Sequence, residues 1–257
     1  MVTQLQDTLR RSTVAPSAKA RLLAAMEPFS GHWLRAIPSP QLGVMLDPHT
    51  LRIAASLRLG LPVCAPHSCA RCTLPVTPFG DHALSCSRSL GRHSRHEELN
   101  NVLSRALQSA GFPNRREPTG LSVDAALRPD GMTLLPWDRG KLLVWDATVS
   151  CTLAPSYVAR TSLQAGAAAA LAYTRKLQKY AALSPTYVVQ PVAFETLGTI
   201  DPSTSVFLTE LGKRLRLLTH HPQAAAFLYQ RLSVALQRGN STSILGSSPD
   251  GVAMLLP

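Results

Sequence analysis

The spacing of apolar residues predicts that the first part of the chain is helical. Apolar side chains recur there at the intervals that place them on one face of a helix. One of these segments has well-marked ends, because Asp47 and Thr50 can cap its start and Gly60 can end it. The predicted helices cover residues 3–27, 49–59 and 96–110.

Beyond residue 113 the pattern changes to short apolar runs of the kind that form strands. The strongest run is 141–149, and Trp137–Gly140 before it has the composition of a hairpin turn. Pro191 indicates an edge strand or a bulge, because proline cannot donate a ladder hydrogen bond. Predicted strands cover 114–118, 121–133, 141–149 and 186–194; predicted helices cover 156–183, 203–218 and 223–238, with a frayed tail after Gly239.

The order of these elements predicts an α/β fold in which helices flank a small mixed β-sheet. The chain has 257 residues, 45% of them apolar, which suffices for one large domain or two small ones. No apolar run reaches the length of about 18 residues typical of a membrane span, and the first residues lack the apolar core of a secretory leader. We therefore expect an intracellular protein, nuclear or cytoplasmic, without membrane contact.

The charge distribution indicates what kind of partner the protein binds. The net charge is +11, and most of the 26 basic residues are arginine, which suits bidentate phosphate contacts. A basic chain usually has a polyanion partner. A genomic bias toward arginine and alanine codons could also make the chain basic, but such a bias would not concentrate the acidic residues in one segment. Residues 51–116 carry nine arginines and three acids, whereas 117–201 carry seven basic and seven acidic residues.

A cysteine and histidine cluster predicts a structural zinc site. Cys69, Cys72, His82 and Cys86 follow the pattern C-x2-C-x9-H-x3-C, which supplies three thiolates and one imidazole for tetrahedral zinc. Cys64 and His67 are additional candidates, so the spacing leaves the four ligands open. Four protein ligands would leave no open position for catalysis. Basic residues around and after the cluster are the predicted nucleic-acid contacts: Arg71, Arg88, Arg92, Arg95 and His96.

Acidic residues in strand-like segments predict a second site. Asp146 interrupts an apolar run, where a lone charge is costly to bury, and Asp130 and Glu117 lie in the preceding segments. Two carboxylates on adjacent strands with a nearby lysine form the constellation of metal-assisted phosphodiester hydrolysis. The helix over 156–183 offers Lys176 for that role, with Lys179 as the alternative. Taken singly, Asp130 could cap a turn and Asp146 could form a buried ion pair.

The order of these motifs resembles the C-terminal region of non-LTR retrotransposon reverse transcriptases that carry a restriction-like endonuclease of the PD-(D/E)xK superfamily. The resemblance spans roughly residues 29–240. It rests on the Cys/Cys/His/Cys knuckle, Arg95-His96, Glu117-Pro118, Arg128-Pro129-Asp130, Asp146, and Arg175-Lys176 with Lys179-Tyr180. Thr148 occupies the position of the usual (D/E)xK lysine, so Lys176 would replace it.

The resemblance implies a restriction-endonuclease-like fold and target-DNA nicking that primes reverse transcription. Asp130 and Asp146 would bind Mg²⁺ or Mn²⁺, Lys176 would act on the water or the transition state, and Glu117 or Glu97 would be a further carboxylate. DNA is the implied partner, the element RNA a second one, and no small-molecule cofactor is implied. The expected units are a helical linker at 1–60, the zinc knuckle and basic connector at 61–95, the nuclease at 96–240 and a flexible tail at 241–257.

Two other hypotheses compete. No YxDD polymerase motif is present, so the chain would be a C-terminal piece or a free-standing remnant of a mobile element, and a remnant could bind nucleic acid without cutting it. An RNase H-like enzyme would need an acid on the helix after Asp146, but residues 156–183 contain neither Asp nor Glu. The sequence therefore favours the nuclease, with a catalytically inactive nucleic-acid-binding remnant as the alternative.

Overall fold

A four-stranded mixed sheet organises the second half of the molecule in the computed structural model, which describes residues 13–121 and 127–251. Its strands run in the order β3–β4–β5–β6. The β3–β4 and β4–β5 pairs are antiparallel, whereas β5 and β6 are parallel. A separate antiparallel pair, β1 and β2, belongs to the cysteine cluster. The strands are β1 His67–Ser68, β2 Pro75–Val76, β3 Asn114–Arg116, β4 Gly131–Asp138, β5 Lys141–Ser150 and β6 Val188–Glu195.

Helices surround this sheet. They are α1 Pro16–Met26, α2 Pro48–Leu59, α3 Asp81–Ser85, α4 Leu90–Ser109, α5 Val158–Thr161, α6 Ala167–Lys179, α7 Pro202–Thr219 and α8 Ala224–Leu245, with 3₁₀ turns at Pro28–Arg35 and Ala181–Leu183. The predicted mixed sheet with flanking helices is therefore confirmed. Within the described ranges, no helix has the length and apolarity needed to cross a membrane.

Four apolar clusters form among the described residues, and two of them position the sheet and the cysteine segment. The larger joins α4, the sheet, α7 and α8, with Leu103, Phe194 and Leu232 at its centre. The smaller lies under the cysteine cluster and includes Ile53 and Ile244. The two clusters share no residue, although helix α8 contributes to both, with Leu232 in the larger and Ile244 in the smaller.

Local signals in the sequence explain several element ends. The Asp47 carboxylate accepts the backbone N–H of Thr50 at 3.0 Å, and Gly60 adopts the left-handed conformation after Leu59. These contacts confirm both ends of the predicted second helix. The 139–140 turn has positive φ at both residues, as a tight hairpin requires, and Pro191 lies on edge strand β6, as predicted.

Three predicted elements are corrected by the structure. The helix expected over 156–183 is broken, because Gly166 has φ of +80° and starts a new helix, α6. Buried Glu195 accepts the backbone N–H groups of Ala168 and Ala169 and stabilises that start. The strand expected over 121–133 begins only at Gly131, and residues 122–126 lie outside the described part of the chain. The basic connector expected up to residue 95 is helical from Leu90 onward.

The predicted tail after Gly239 is also corrected. Helix α8 continues to Leu245, and its Asn240 and Ile244 are buried. Just beyond the helix, the Ser247 carbonyl accepts the backbone N–H of Ala70 at 2.7 Å. Polar groups at the end of α8 therefore bind the cysteine segment. Residues 252–257 of the expected tail lie outside the described residues.

Gly131 allows a close approach that shapes the sheet beside both aspartates. It pairs with Trp145 across β4 and β5, and a Cβ at Gly131 would lie 2.0 Å from the Trp145 ring. We expect Gly131→Ala to lower the free energy of unfolding by about 1–3 kcal/mol, because the buried ring would have to move. Urea denaturation measures this loss. Gly31→Ala is the control, since its Cβ would meet no atom closer than 3.7 Å; equal losses in both variants would contradict the explanation.

Candidate functional site

The four predicted zinc ligands lie together. The ligand atoms of Cys69, Cys72, His82 and Cys86 are all within 4.8 Å of one another. The Sγ atoms of Cys72 and Cys86 are 3.7 Å apart, close to the separation of about 3.8 Å that tetrahedral zinc with bonds of about 2.3 Å requires. The His82 Nε2 atom faces the Cys72 Sγ atom at 3.1 Å. The cluster therefore has the donors and the spacing to hold a structural zinc ion.

The local sequence explains how these side chains meet. Strands β1 and β2 form a short ribbon, and the turn between them carries the Cys69–Cys72 pair. Gly80, with φ of +69°, then starts α3, which carries His82 and ends at Cys86. A backbone N–H bond to Cys72 lowers the pKa of its thiol and favours the thiolate, whereas burial raises the pKa of Cys86.

The two additional zinc candidates have other partners. The Cys64 thiol is buried and faces the carbonyl oxygens of Thr77 and Pro78, and burial raises its pKa. His67 uses both ring nitrogens, one with the Ala65 carbonyl and one with the Ser247 hydroxyl, each at 2.9 Å. The structure thus selects Cys69, Cys72, His82 and Cys86 and excludes Cys64 and His67 from the cluster.

The two predicted aspartates flank one cross-strand pair. Asp130 immediately precedes Gly131, and Asp146 immediately follows Trp145, which is the partner of Gly131. The Ala147 backbone N–H donates to Asp130 Oδ2 at 2.7 Å, across the two strands. Hairpin pairing therefore brings together two acids that lie 16 positions apart in the sequence.

Helix α4 supplies the partners of Asp130. His96 Nε2 lies 3.0 Å from Asp130 Oδ2, and the Asn100 amide donates to the same oxygen at 2.9 Å. His96 and Asn100 are four residues apart, so they share one face of the helix. The Asn100 side-chain oxygen Oδ1 also accepts the Trp145 indole N–H at 3.0 Å. Helix α4 thus holds both the Asp130 carboxylate and the Trp145 ring in position.

Helix α6 supplies the partners of Asp146 in the same way. Lys176 Nζ lies 2.6 Å from Asp146 Oδ1, and the Tyr180 hydroxyl donates to Oδ2. These two residues are also four apart on one helical face. Lys179 instead contacts the Tyr180 hydroxyl at 3.3 Å and its ring. Of the two candidate lysines, Lys176 is therefore the one that the structure pairs with a site carboxylate.

Burial and neighbouring groups shift the pKa values of the two aspartates in opposite directions. Burial, followed by the neighbouring charge of Asp130, raises the pKa of Asp146, although Lys176 and Tyr180 favour its ionised form. Burial also opposes ionisation of Asp130, but His96, Asn100 and the Ala147 N–H outweigh it and lower the pKa. The hydrogen bond to Asp130 in turn raises the pKa of His96. Two partly repelling carboxylates at one buried position are a setting that added positive charge stabilises.

The remaining predicted carboxylates have different partners. Glu117 has an exposed side chain that pairs with Arg128 at 3.5 Å. Glu97 is about half exposed and pairs with Arg116 at 3.3 Å. Among the described residues, neither carboxylate shows a contact with Asp130 or Asp146. The structure therefore does not bring Glu117, the predicted further catalytic acid, into the aspartate pair.

The predicted nucleic-acid contacts fall into three settings. Arg71, Arg88 and Arg92 are exposed. His96 faces Asp130 and belongs to the aspartate site. Arg95 is only 2% exposed, and its Nη1 donates to the Asn240 side chain at 2.8 Å. Close packing of α4 on Gly239 of α8 encloses the stem of Arg95, so this arginine is not part of the exposed basic surface, and its contact with nucleic acid stays a prediction.

Two residues that contact the aspartates had no predicted role: Asn100, and Tyr180, which the sequence offered only as part of the Lys179-Tyr180 motif. Each lies one helical turn after a residue that the sequence did identify, His96 or Lys176, and that spacing was the available signal. Burial, followed by its bond to Asp146, raises the pKa of Tyr180 and keeps it a neutral donor. Comparison of the chain with models of protein families and with curated proteins finds no match.

Proposed function

We propose that this protein is a metal-dependent endonuclease that cuts a phosphodiester bond of DNA. The observation that carries the proposal is the convergence of Asp130 and Asp146 on adjacent strands, with Lys176 in contact with Asp146. Carboxylates on a hairpin with a lysine beside them are the donor set of metal-assisted phosphodiester hydrolysis. The basic charge of the chain supports a polyanionic substrate.

The aspartate pair suits Mg²⁺ or Mn²⁺. Both ions prefer oxygen ligands, and the pair offers carboxylate oxygens in a buried position where their charges oppose each other. When bound there, the ion would activate water and stabilise negative charge on the phosphate. Asp130 and Asp146 would hold it. His96, Asn100 and Tyr180 would keep the two carboxylates oriented, which limits the reorganisation needed at the site.

Lys176 has the position of an electrostatic partner. Its side chain is about a quarter exposed and lines the groove beside the site, while its ammonium group contacts the buried Asp146 carboxylate. A lysine in that place would stabilise charge on a phosphate oxygen or hold the attacking water by a hydrogen bond. Its helical origin accounts for the absence of a lysine two residues after Asp146, where Thr148 stands.

The motif order extends the proposal to a specific class. The knuckle, Arg95-His96, Arg128-Pro129-Asp130, Asp146 and Lys176 support a restriction-like nuclease of a non-LTR retrotransposon that nicks target DNA for reverse transcription. The mixed sheet with acids on adjacent strands supports the restriction-like fold. The Cys69, Cys72, His82 and Cys86 cluster would bind structural zinc.

One observation favours a binding protein without catalysis. Both aspartates already have protein partners: Asp130 Oδ2 accepts three contacts, and the oxygens of Asp146 face Lys176 and Tyr180. A carboxylate pair satisfied in this way can persist as structure after activity is lost. Nicking of DNA separates the two functions, since a remnant would bind DNA but leave it intact with every metal ion.

Plasmid nicking tests the proposal and the assignment of the lysine. Wild-type protein with Mg²⁺ or Mn²⁺ should convert supercoiled plasmid to the open circle. Lys176→Met should slow this conversion by about 100-fold or more, because it removes a charge at the reacting phosphate. Lys179→Met should cost less, and Lys213→Met, a change of the same charge on exposed α7, should cost nothing. Absence of nicking by wild type with either ion would refute the nuclease.

A further inference from the structure

A groove of about 440 Å³ lies beside the aspartate site. It is lined by Leu84 and Ser85 of α3, in the cysteine segment, and by residues of helix α6. The end of strand β5, from Thr148 to Ser150, and Cys151 just after it also line the groove. The groove therefore comes within two residues of Asp146 in the sequence, and it includes Lys176, the partner of Asp146.

The charged residues that line this groove have one sign. They are Arg92 and Arg95 from α4 and Arg175, Lys176 and Lys179 from α6. None of the described residues lining it is Asp or Glu. Lys176 is paired with Asp146, whereas the other four cations have no carboxylate among the groove residues; they repel each other, and an anion between them would relieve that repulsion.

Arg95 makes the groove more than a basic patch. Its side chain is nearly inaccessible, and its Nε atom has no hydrogen-bond partner among the described residues. Burial lowers the pKa of this guanidinium to about 10, so the group remains charged at neutral pH. A buried N–H without an acceptor is costly, and Nη1 has only the neutral Asn240 oxygen. An anionic oxygen from the groove would supply the missing acceptor.

We propose that this groove binds the sugar-phosphate backbone of a DNA strand, with Arg92, Arg95 and Arg175 around a phosphate next to the one at the aspartate pair. This inference rests on the proposed nuclease function only in taking the bound strand to be the DNA strand that is cut. The groove would bind backbone phosphates whether or not the aspartates support cutting. Arg175 is already oriented, since its Nη1 donates to the Tyr157 hydroxyl at 2.9 Å. Helix α3, which carries His82 of the zinc cluster, would thereby contribute Leu84 and Ser85 to the wall of the substrate site.

Metal-free binding tests the groove apart from cutting. Fluorescence anisotropy with a labelled DNA duplex, in EDTA, would be measured from about 50 to about 200 mM salt for wild type and for Arg92→Gln/Arg175→Gln. Both side chains are exposed, so the double variant should fold. We expect roughly tenfold weaker binding and a salt slope smaller by about 1.8, because two phosphate contacts are lost. Arg216→Gln on α7, the same change on a helix outside the groove, should bind like wild type.

Three results would decide the inference. Equal affinity and slope for the double variant and wild type would overturn it, even if the protein nicks plasmid. The expected loss in a protein that fails to nick would support the groove while refuting the nuclease. Preference for single-stranded RNA over DNA of the same sequence, abolished by the double variant, would overturn the assignment to DNA. Arg95→Lys gives a separate test, because it keeps the charge but lacks the Nε–H. This variant should bind DNA more weakly than wild type, since the buried guanidinium would lose its contact with phosphate.

Discussion

Replacing Asp146 by asparagine should abolish metal-dependent nicking, with a loss of about 1,000-fold or more, and leave DNA binding intact. The change keeps the size of the side chain and removes one of the two charges that would hold the ion. The substitution would also leave Lys176 without its carboxylate partner, but that lysine is about a quarter exposed and can turn to solvent. Removal of a negative charge that faces a polyanion should, if anything, tighten binding in EDTA.

Loss of nicking together with unchanged DNA binding would distinguish a catalytic role of Asp146 from a structural one. Circular dichroism should show an unchanged fold, because burial of the Asp146 charge, which opposes its ionisation, is relieved in the variant. Asp138→Asn is the matched control: it removes the same charge from an exposed aspartate of the β4–β5 hairpin and should nick like wild type. Nicking by Asp146→Asn at the rate of Asp138→Asn would contradict the assigned role.

Short-range signals made much of this architecture predictable. Strand β5 is a continuous apolar run around Asp146, and the second helix carries its cap and its terminating glycine within one segment. The zinc ligands fall within 18 positions, so their spacing alone indicates one site. Each of these features is encoded by neighbours in the chain.

Features that depend on packing between distant elements could not be read in this way. The alanine-rich stretch after residue 156 has high helix propensity, yet Gly166 and the cap from Glu195 break it. The burial of Arg95 depends on Gly239, which lies 144 positions away. Tyr180 and Asn100 acquire their roles only when α6 and α4 pack on the sheet. The exposure of Glu117 likewise follows from its turn, where its φ is positive, rather than from its residue type.

The second large effect concerns zinc. We expect wild-type protein to contain one zinc ion per chain and Cys86→Ser to contain almost none, since loss of a ligand should weaken zinc binding by more than about 100-fold. The segment around the cluster has two-residue strands and a five-residue helix, so metal binding would supply much of its folding free energy. Elemental analysis of the purified proteins measures this difference. The melting temperature of Cys86→Ser should fall by about 5 °C or more.

The two apolar clusters predict which part of the molecule loses stability in Cys86→Ser. The smaller cluster contains Val76, Leu84 and Ile244, whereas the sheet packs α4, α7 and α8 around its own core. Hydrogen exchange in Cys86→Ser should therefore accelerate over residues 61–88 and at the end of α8, while β4 and β5 stay protected. Cys64→Ser is the control, because this buried thiol is not one of the four candidate zinc ligands and its loss should leave zinc content at one. Zinc retained by Cys86→Ser but lost by Cys64→Ser would reverse the ligand assignment, and uniform exchange across the chain would show that the cysteine segment and the sheet fold as one unit.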